Sequence, residues 1–298
     1  MAEAEEVKKR VLITGSSGML GVDLSEELKG KFEVYGSDLV QRTAYSVQHF
    51  VGCDITNRNS VGKVTREIKP DVIIHAAAWT DVDGCELDPD RAYKVNAEGT
   101  KNVALACAEL NVPLIYISTD FVFDGKKKRP YKESDKTGPL SVYGKSKLAG
   151  EEAVKKIARK FYIVRTSWLY GKNGKNFVDT IIANAKPRKE LKVVRDQVGS
   201  PTYTRDLAEA IHALIGKISN HGIYHISNSG AVSWFEYAKE ILKLTGSRTK
   251  VLPISSKELD RPAPRPAMSV MDNGKFIKFT SYRMRPWKAA LKDYLKGS

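Results

Sequence analysis

The chain is poor in the residues that usually announce a protein's chemistry. Of 298 residues only three are cysteine. Cys53, Cys85 and Cys107 show no paired spacing, which argues against a disulfide framework and fits a reducing compartment. Histidine is scarce as well. The one pair at four-residue spacing, His221 and His225, straddles Gly222 where Ile223 to Ile226 reads as a strand, so no metal site is expected. No apolar run approaches the roughly 18 residues of a membrane span, so no membrane partner is expected. The first ten residues are acidic and then basic, without the apolar core of a signal peptide. The expectation is a cytoplasmic protein whose first residues form a frayed lead-in. No internal repeat or low-complexity tract interrupts the chain.

Hydrophobic residues make up 42% and charged residues 28%, ordinary proportions for a globular protein with one large domain or two small ones. The formal net charge is +14. Such an excess suits nucleic acid, an anionic membrane or a phosphorylated small molecule. The basic residues are spread along the chain, and their one dense cluster, Lys126 to Arg129 before Pro130, reads as a solvated loop. No nucleic-acid-binding motif accompanies the charge, and no nucleic-acid partner is expected.

Against these absences, the N-terminal region is rich in punctuation. Val11-Leu12-Ile13 leads into Thr14-Gly15-Ser16-Ser17-Gly18-Met19-Leu20-Gly21 and then an amphipathic helix, Val22 to Leu28. Strand, glycine turn and helix in that order form the setting of a dinucleotide-binding loop. Glycines allow the tight turn and the approach of backbone amides to a pyrophosphate, and the helix N-terminus adds partial positive charge. Asp38, 20 residues beyond Gly18, ends a second strand, Glu33 to Ser37, where a carboxylate can accept from a ribose 2′-hydroxyl. That favours NAD(H), while Arg42 nearby keeps NADP(H) open. Val47 to Val51 reads as a third strand. Asp54 just beyond it suits either an adenine amino group or the N-cap of a helix Ser60 to Ile68. Val72 to His75 and Leu114 to Ser118 are apolar enough for a sheet covered on both faces, with a helix from about Asp90 to Leu110 between them. Ala76, Ala77 and Ala78 leave room for a ligand against the backbone, and Ser118-Thr119-Asp120 closes the fifth strand. The pattern predicts an α/β fold, a doubly wound parallel (Rossmann) sheet with its ligand at the carboxyl ends of the strands. Residues 1–165 form the expected dinucleotide-binding domain. Residues 166–298 form mainly a smaller C-terminal substrate-binding lobe, with about 204–228 returning to the sheet. Ser233 with Glu236 fits a capping box, and Arg261 to Pro266 a lid loop.

Tyr143 and Lys147 lie four apart in a segment that reads as helical, so one face carries both. An ammonium about 4 Å from the phenolate contributes roughly 4 kcal/mol at an effective dielectric near 20, about three pKa units. That would bring the phenol towards neutrality.

In combination, the Thr14 to Gly21 loop, Asp54, Ala76-Ala77-Ala78, Asn96, Ser118-Thr119 and the Tyr143/Lys147 pair resemble the extended short-chain dehydrogenase/reductase family over nearly the whole chain. Within it, Ser118 to Phe123, Val142 to Glu151, Arg165 to Trp168, Asp196-Gln197, Pro201-Thr202 and Arg265-Pro266 are most similar to the dTDP-4-dehydrorhamnose reductase branch. The resemblance implies NAD(P)H-dependent reduction of the C4 keto group of a nucleotide-diphosphate sugar. Thr119, Tyr143 and Lys147 would be catalytic, with Tyr143 the proton donor. Gly15, Ser17, Gly18, Met19, Leu20, Gly21, Asp38, Asp54, Ile55, Ala76, Ala77, Ala78, Asn96, Tyr143 and Lys147 would bind cofactor, and Thr119, Asp120, Phe121, Trp168 and Arg265 substrate. Phe121 stands where a tyrosine is common and Trp79 where a histidine is. A homodimer stays an open expectation, and no metal is assigned. A cofactor-binding regulatory subunit similar to the methionine adenosyltransferase beta subunit, and a related epimerase or dehydratase, are the alternatives.

Overall fold

The structure, a computed structural model, describes residues 8–42, 47–217 and 219–297. The expected lead-in therefore lies largely outside the described residues. Seven strands form the central sheet: β1 (Arg10–Thr14), β2 (Glu33–Asp38), β3 (His49–Gly52), β4 (Val72–His75), β5 (Leu114–Thr119), β6 (Phe161–Thr166) and β7 (Gly222–His225). Their order is β7-β6-β5-β4-β1-β2-β3 and every pairing is parallel. The order runs outward from β1 in both directions, so the connections diverge at β1 and β4 and leave a crevice there, as in any doubly wound sheet.

Every residue of β4 and β5 is buried because helices cover both faces. On one face α1 (Met19–Leu28) packs with its Leu20, Leu24 and Leu28 against Leu207, Ile211 and Leu214 of α5 (Thr204–Ile215). On the other, Val61 and Val64 of α2 (Arg58–Ile68), Val103 and Cys107 of α3 (Thr100–Leu110) and Val154 of α4 (Val142–Ile157) close over Leu12, Ile73 and Ile163. Burying each such aliphatic chain is worth about 1.5–3 kcal/mol.

Three local details differ from the sequence expectation. The helix expected from Asp90 to Leu110 is a short α-helix, Pro89–Tyr93, a π-helical turn, Lys94–Gly99, and then α3. The widened turn points Asn96 inward, and Gly99 lets Ile55 approach so closely that a Cβ would meet its Cδ1 at 2.8 Å. The N-cap of α2 is Asn57, whose carboxamide accepts from Asn59 and Ser60 N–H. Asp54 instead accepts from the amide and hydroxyl of Thr56. Ser233 caps the helix Trp234–Leu244 through Glu236 N–H, but the Glu236 carboxylate turns to Lys239, so the reciprocal half of the capping box is absent.

Beyond β6 the chain builds a lobe from short paired strands and helices around Tyr170, Tyr203, Tyr237, Trp287 and Tyr294. It is joined to the sheet by α5 and β7. Asp206 of α5 is the joint: it accepts two hydrogen bonds from Arg285, at 2.8 and 2.6 Å, and a third from Asn228 at 2.7 Å.

Candidate active site

The glycine loop is shaped by close approach. Gly15 has φ +74°, and a Cβ there would lie 2.6 Å from the Ala77 amide nitrogen. A Cβ on Gly21 would lie 2.2 Å from the Gly15 carbonyl, so only glycine lets α1 start this close to β1. Gly18 is the N-cap of α1 and offers no side chain, nor is there an acidic residue in the first turn. The opening amides of a ten-residue helix are thus left for an anion.

These residues bound a crevice of about 620 Å³ lined by Gly15, Gly18, Asp38, Asp54, Ile55 and Ala76 to Ala78, among others. Ser17 N–H donates to Asp38 at 3.1 Å, which fixes that carboxylate at the crevice edge, while Arg42 is exposed. Other predicted cofactor residues stand differently. Leu20 is a core side chain, and Met19 packs against Gly171 and Gly174. The Asn96 amide is consumed by the Trp79 backbone and Ser146 Oγ, so it braces the crevice wall. Arg91 and Lys94, which sequence reasoning passed over, also line the crevice, with the Arg91 guanidinium 4.5 Å over the Trp79 ring. Their spacing of three on a helical segment was the available signal.

At the carboxyl end of β5, Thr119 meets Tyr143. The Thr119 hydroxyl lies beside the Tyr143 phenol and works to lower its pKa, and Phe121 packs edge-on to the phenol ring with centroids 5.6 Å apart. Ser141 caps α4 through Gly144 N–H, which sets the helix start and so the height of Tyr143 above the sheet. Gly144 has no room for a side chain, since a Cβ would meet the Phe121 carbonyl at 2.3 Å.

The electrostatic expectation for the tyrosine and lysine requires correction. Lys147 Nζ donates to the Ile117 carbonyl at 2.7 Å and sits 4.3 Å over the Tyr116 ring. Burial pushes the lysine down to about 7, against the raising influence of Glu151. Burial also pushes the Tyr143 phenol up, opposed by the Thr119 hydroxyl and reinforced by Asp120 and Cys85. Desolvation penalises whichever form is charged, and here it outweighs any attraction between the two groups.

Glu151, one turn beyond Lys147, is fully buried. It takes two hydrogen bonds from Arg165, at 2.9 and 2.7 Å, and one from Ser118 at 2.6 Å. This neutralised carboxylate anchors α4 to β5 and β6 beneath Lys147. Its i,i+4 relation to Lys147 was legible, its pairing with Arg165 was not. His75 links the strands in the same layer: Nδ1 is 2.7 Å from Thr14 Oγ1 and Nε2 3.0 Å from Thr100 Oγ1. Burial and the nearby Lys147 push it down to about 3, so it is neutral.

The predicted substrate residues divide. Asp120 and Phe121 adjoin Tyr143. Trp168 follows β6 with φ +49° and stacks on Trp234 at 3.4 Å between centroids and 3° between planes. Arg265 is not free: it donates to Asp83 at 2.9 Å and to the Ala263 carbonyl at 2.8 Å. Arg261 shares the same carboxylate, so Asp83 ties the proline-rich loop to the helix Val82–Leu87.

A doubly wound sheet with a glycine-lined crevice, ending at Thr119 and an α4 that carries Tyr143 and Lys147, defines a short-chain dehydrogenase/reductase of the extended type. More narrowly, the chain belongs to the family described as RmlD substrate binding domain, which matches residues 9–298. It is 40% identical over 289 residues to the spore coat polysaccharide biosynthesis protein SpsK of Bacillus subtilis, covering 96% of this chain and 97% of that one. It also resembles the structure of a dTDP-4-dehydrorhamnose reductase from Clostridium acetobutylicum, with TM-score 0.89 and 45% identity over 96% and 98% of the two chains. A dTDP-4-dehydrorhamnose reductase from Bacillus anthracis, solved in complex with NADP, matches with TM-score 0.91 and 42% identity over 98% and 100%.

Proposed function

We propose that this protein reduces the C4 keto group of a nucleotide-linked 6-deoxy sugar, dTDP-4-dehydrorhamnose to dTDP-rhamnose, with Tyr143 as the proton donor. The observation that carries the reading is the contact between the Thr119 hydroxyl and the buried Tyr143 phenol at the end of β5, beside the glycine crevice. The relatives that bear the name of this reductase, one of them holding NADP, support it.

The crevice fits a reduced NAD(P) by its chemistry. Glycines whose Cβ atoms would collide with backbone and the open amides of α1 suit a pyrophosphate, and Asp38 suits a ribose hydroxyl. Bound there, the nicotinamide supplies the hydride. Everything else falls to the chain. Thr119 orients the carbonyl oxygen. Tyr143 then gives its proton to that oxygen as negative charge develops, which a phenol kept neutral by burial can do. Lys147, held by the Ile117 carbonyl and balanced by Glu151, offers a donor to the ribose. Trp168 and its stacked partner give the sugar nucleotide a flat apolar wall. Residues 166–298, apart from α5 and β7, serve as the substrate lobe.

The test is consumption of NADPH or NADH on adding dTDP-4-dehydrorhamnose, followed by absorbance of the reduced nicotinamide. Turnover with at least one cofactor is expected, and Tyr143→Phe should lose at least about a hundredfold in kcat while binding cofactor normally. No consumption with either cofactor rejects the reaction, and normal turnover in Tyr143→Phe rejects the assigned donor. An epimerase or dehydratase would leave added cofactor unconsumed.

A further inference from the structure

Asp120, beside Thr119 and Tyr143, is a carboxyl that the mechanism above does not use. It is 2% exposed, yet its Oδ2 has no hydrogen-bond partner, and among the described residues no lysine or arginine pairs with it. Its other oxygen lies 3.1 Å from Thr119 Oγ1. An ionised carboxylate with a bare, buried oxygen is costly, so the neutral acid is the favoured form.

With the acid neutral, the hydrogen bond that the Thr119 hydroxyl donates to an ionised Asp120 can reverse. A hydroxyl carries one proton and two lone pairs. Phe121 N–H donates to the oxygen at 3.2 Å and takes one lone pair. A protonated Asp120 donates to the other, which leaves the threonine proton for the substrate carbonyl during reduction and for the Tyr143 phenolate once that group has given up its own. We propose that Asp120, through Thr119, is the proton reserve that recharges Tyr143 after each reduction.

The step balances. Tyr143 loses its O–H proton to the sugar oxygen, and the resulting phenolate takes the Thr119 proton as Thr119 takes the Asp120 proton. The three O–H bonds broken are matched by three formed, and the negative charge ends on Asp120. Water returns that proton once product leaves. The inference rests on Tyr143 being the proton donor. Burial pushes the Asp120 carboxyl up to about 7, against the lowering influence of the nearby Ser269 and Thr119 hydroxyls, so the acid is available near neutrality. Facing this chain are Ser269 from the C-terminal lobe, Tyr143 and Lys147 from α4 and Cys85 from the helix Val82–Leu87, and of these only Lys147 also titrates near neutral pH.

The test is the pH profile of steady-state reduction of dTDP-4-dehydrorhamnose by NADPH in the wild type and Asp120→Asn. The wild-type rate should fall on the alkaline side with two ionisations, those of Asp120 and Lys147. Asp120→Asn keeps the shape and a hydrogen bond to Thr119 but has no acidic proton. It should turn over about a hundredfold more slowly, with KM within about threefold, and keep one alkaline ionisation. An unchanged alkaline limb, or a raised KM with normal kcat, overturns the proposal and leaves Asp120 as a ligand of the sugar. If Asp120→Asn fails to bind cofactor or to fold, Thr119→Val cuts the same chain and must likewise lose one ionisation; if it keeps both, the proposal is overturned. A Tyr143→Phe variant with normal turnover would instead defeat the underlying reading, so the two failures are distinguishable.

Discussion

The glycine-lined crevice and the C-terminal lobe are made of different materials. The crevice is floored by backbone and small side chains at Gly15, Gly18 and Ala76 to Ala78, packed so closely that a Cβ on Gly15 would strike the Ala77 backbone, with Asp38, Asp54, Arg91 and Lys94 at its edges. The lobe is large aromatic rings and charged clamps, with Trp168 on Trp234, Tyr170 among Tyr203, Tyr237 and Tyr294, and Asp206 held by Arg285. A surface made of backbone presents the same donors whatever the neighbouring sequence, which suits a ligand with an invariant pyrophosphate. A surface made of side chains can be recut residue by residue, which suits choice among sugars.

The contrast predicts opposite responses to substitution. The largest effect should come from Gly21→Val. Its Cβ would sit 2.2 Å from the Gly15 carbonyl and 2.6 Å from Ser16 Cα, both backbone, so α1 must move off the sheet. Affinity for NADPH, followed by fluorescence titration, should drop by at least about a hundredfold, with overpacking costing about 1–3 kcal/mol. Unchanged affinity would mean that the loop is not the phosphate cradle.

Asp206→Ala attacks the joint instead. It removes a 5% exposed carboxylate and leaves Arg285 only Asp293 and Asn228 only the Arg285 carbonyl as acceptors, at about 3 kcal/mol given that Arg285 is partly solvated. Denaturant unfolding should record that loss while NADPH affinity in the folded fraction stays within about threefold. A large loss of affinity would show that the halves do not act separately. Trp234→Ala, smaller again, removes the ring on which Trp168 lies. It should raise KM for the nucleotide-sugar about fivefold to tenfold, on the order of 1 kcal/mol, and leave cofactor affinity alone.

The same difference in material explains what could be read from the sequence. Glycine and alanine at fixed offsets after apolar runs admit few alternatives, so the parallel sheet and the crevice at Gly15, Asp38 and Ala76 to Ala78 were legible. Burial is a property of the folded chain, and here it defeated the forecast. The four-residue spacing of Tyr143 and Lys147 fixed their common face, but their titration is governed by desolvation and by Thr119, Asp120 and Glu151, drawn from other elements. The partners of Arg165, 14 residues from Glu151, and of Arg265, 182 residues from Asp83, leave no periodic trace. Arg265 was expected on the substrate through the resemblance, and nothing near it in sequence pointed to Asp83.

The hold of Asp83 on Arg265 yields the last and smallest effect, at the seam between the two regions. Burial works to raise the Asp83 carboxyl, but hydrogen bonds from Arg265 and Arg261 and from the Ala263 amide outweigh it and hold the group down to about 2. A carboxylate whose pKa is depressed on folding stabilises the native state above its unfolded value near 4, and the gain is lost as pH falls through the folded value. The proline-rich loop should therefore stay latched at neutral pH and loosen between about pH 4 and pH 2. Asp83→Asn removes the charge and keeps the shape, so it should cost about 1 kcal/mol at pH 7, the ion pairs being partly solvent-screened, and nothing at pH 2. Equal thermal shifts at both pH values would show that the latch is shape rather than charge. At pH 7 the variant also releases Arg265, and the sign of its change in KM decides which arrangement the sugar nucleotide uses: a lower KM means Asp83 competes with the diphosphate for the guanidinium, a higher one that Asp83 aims it.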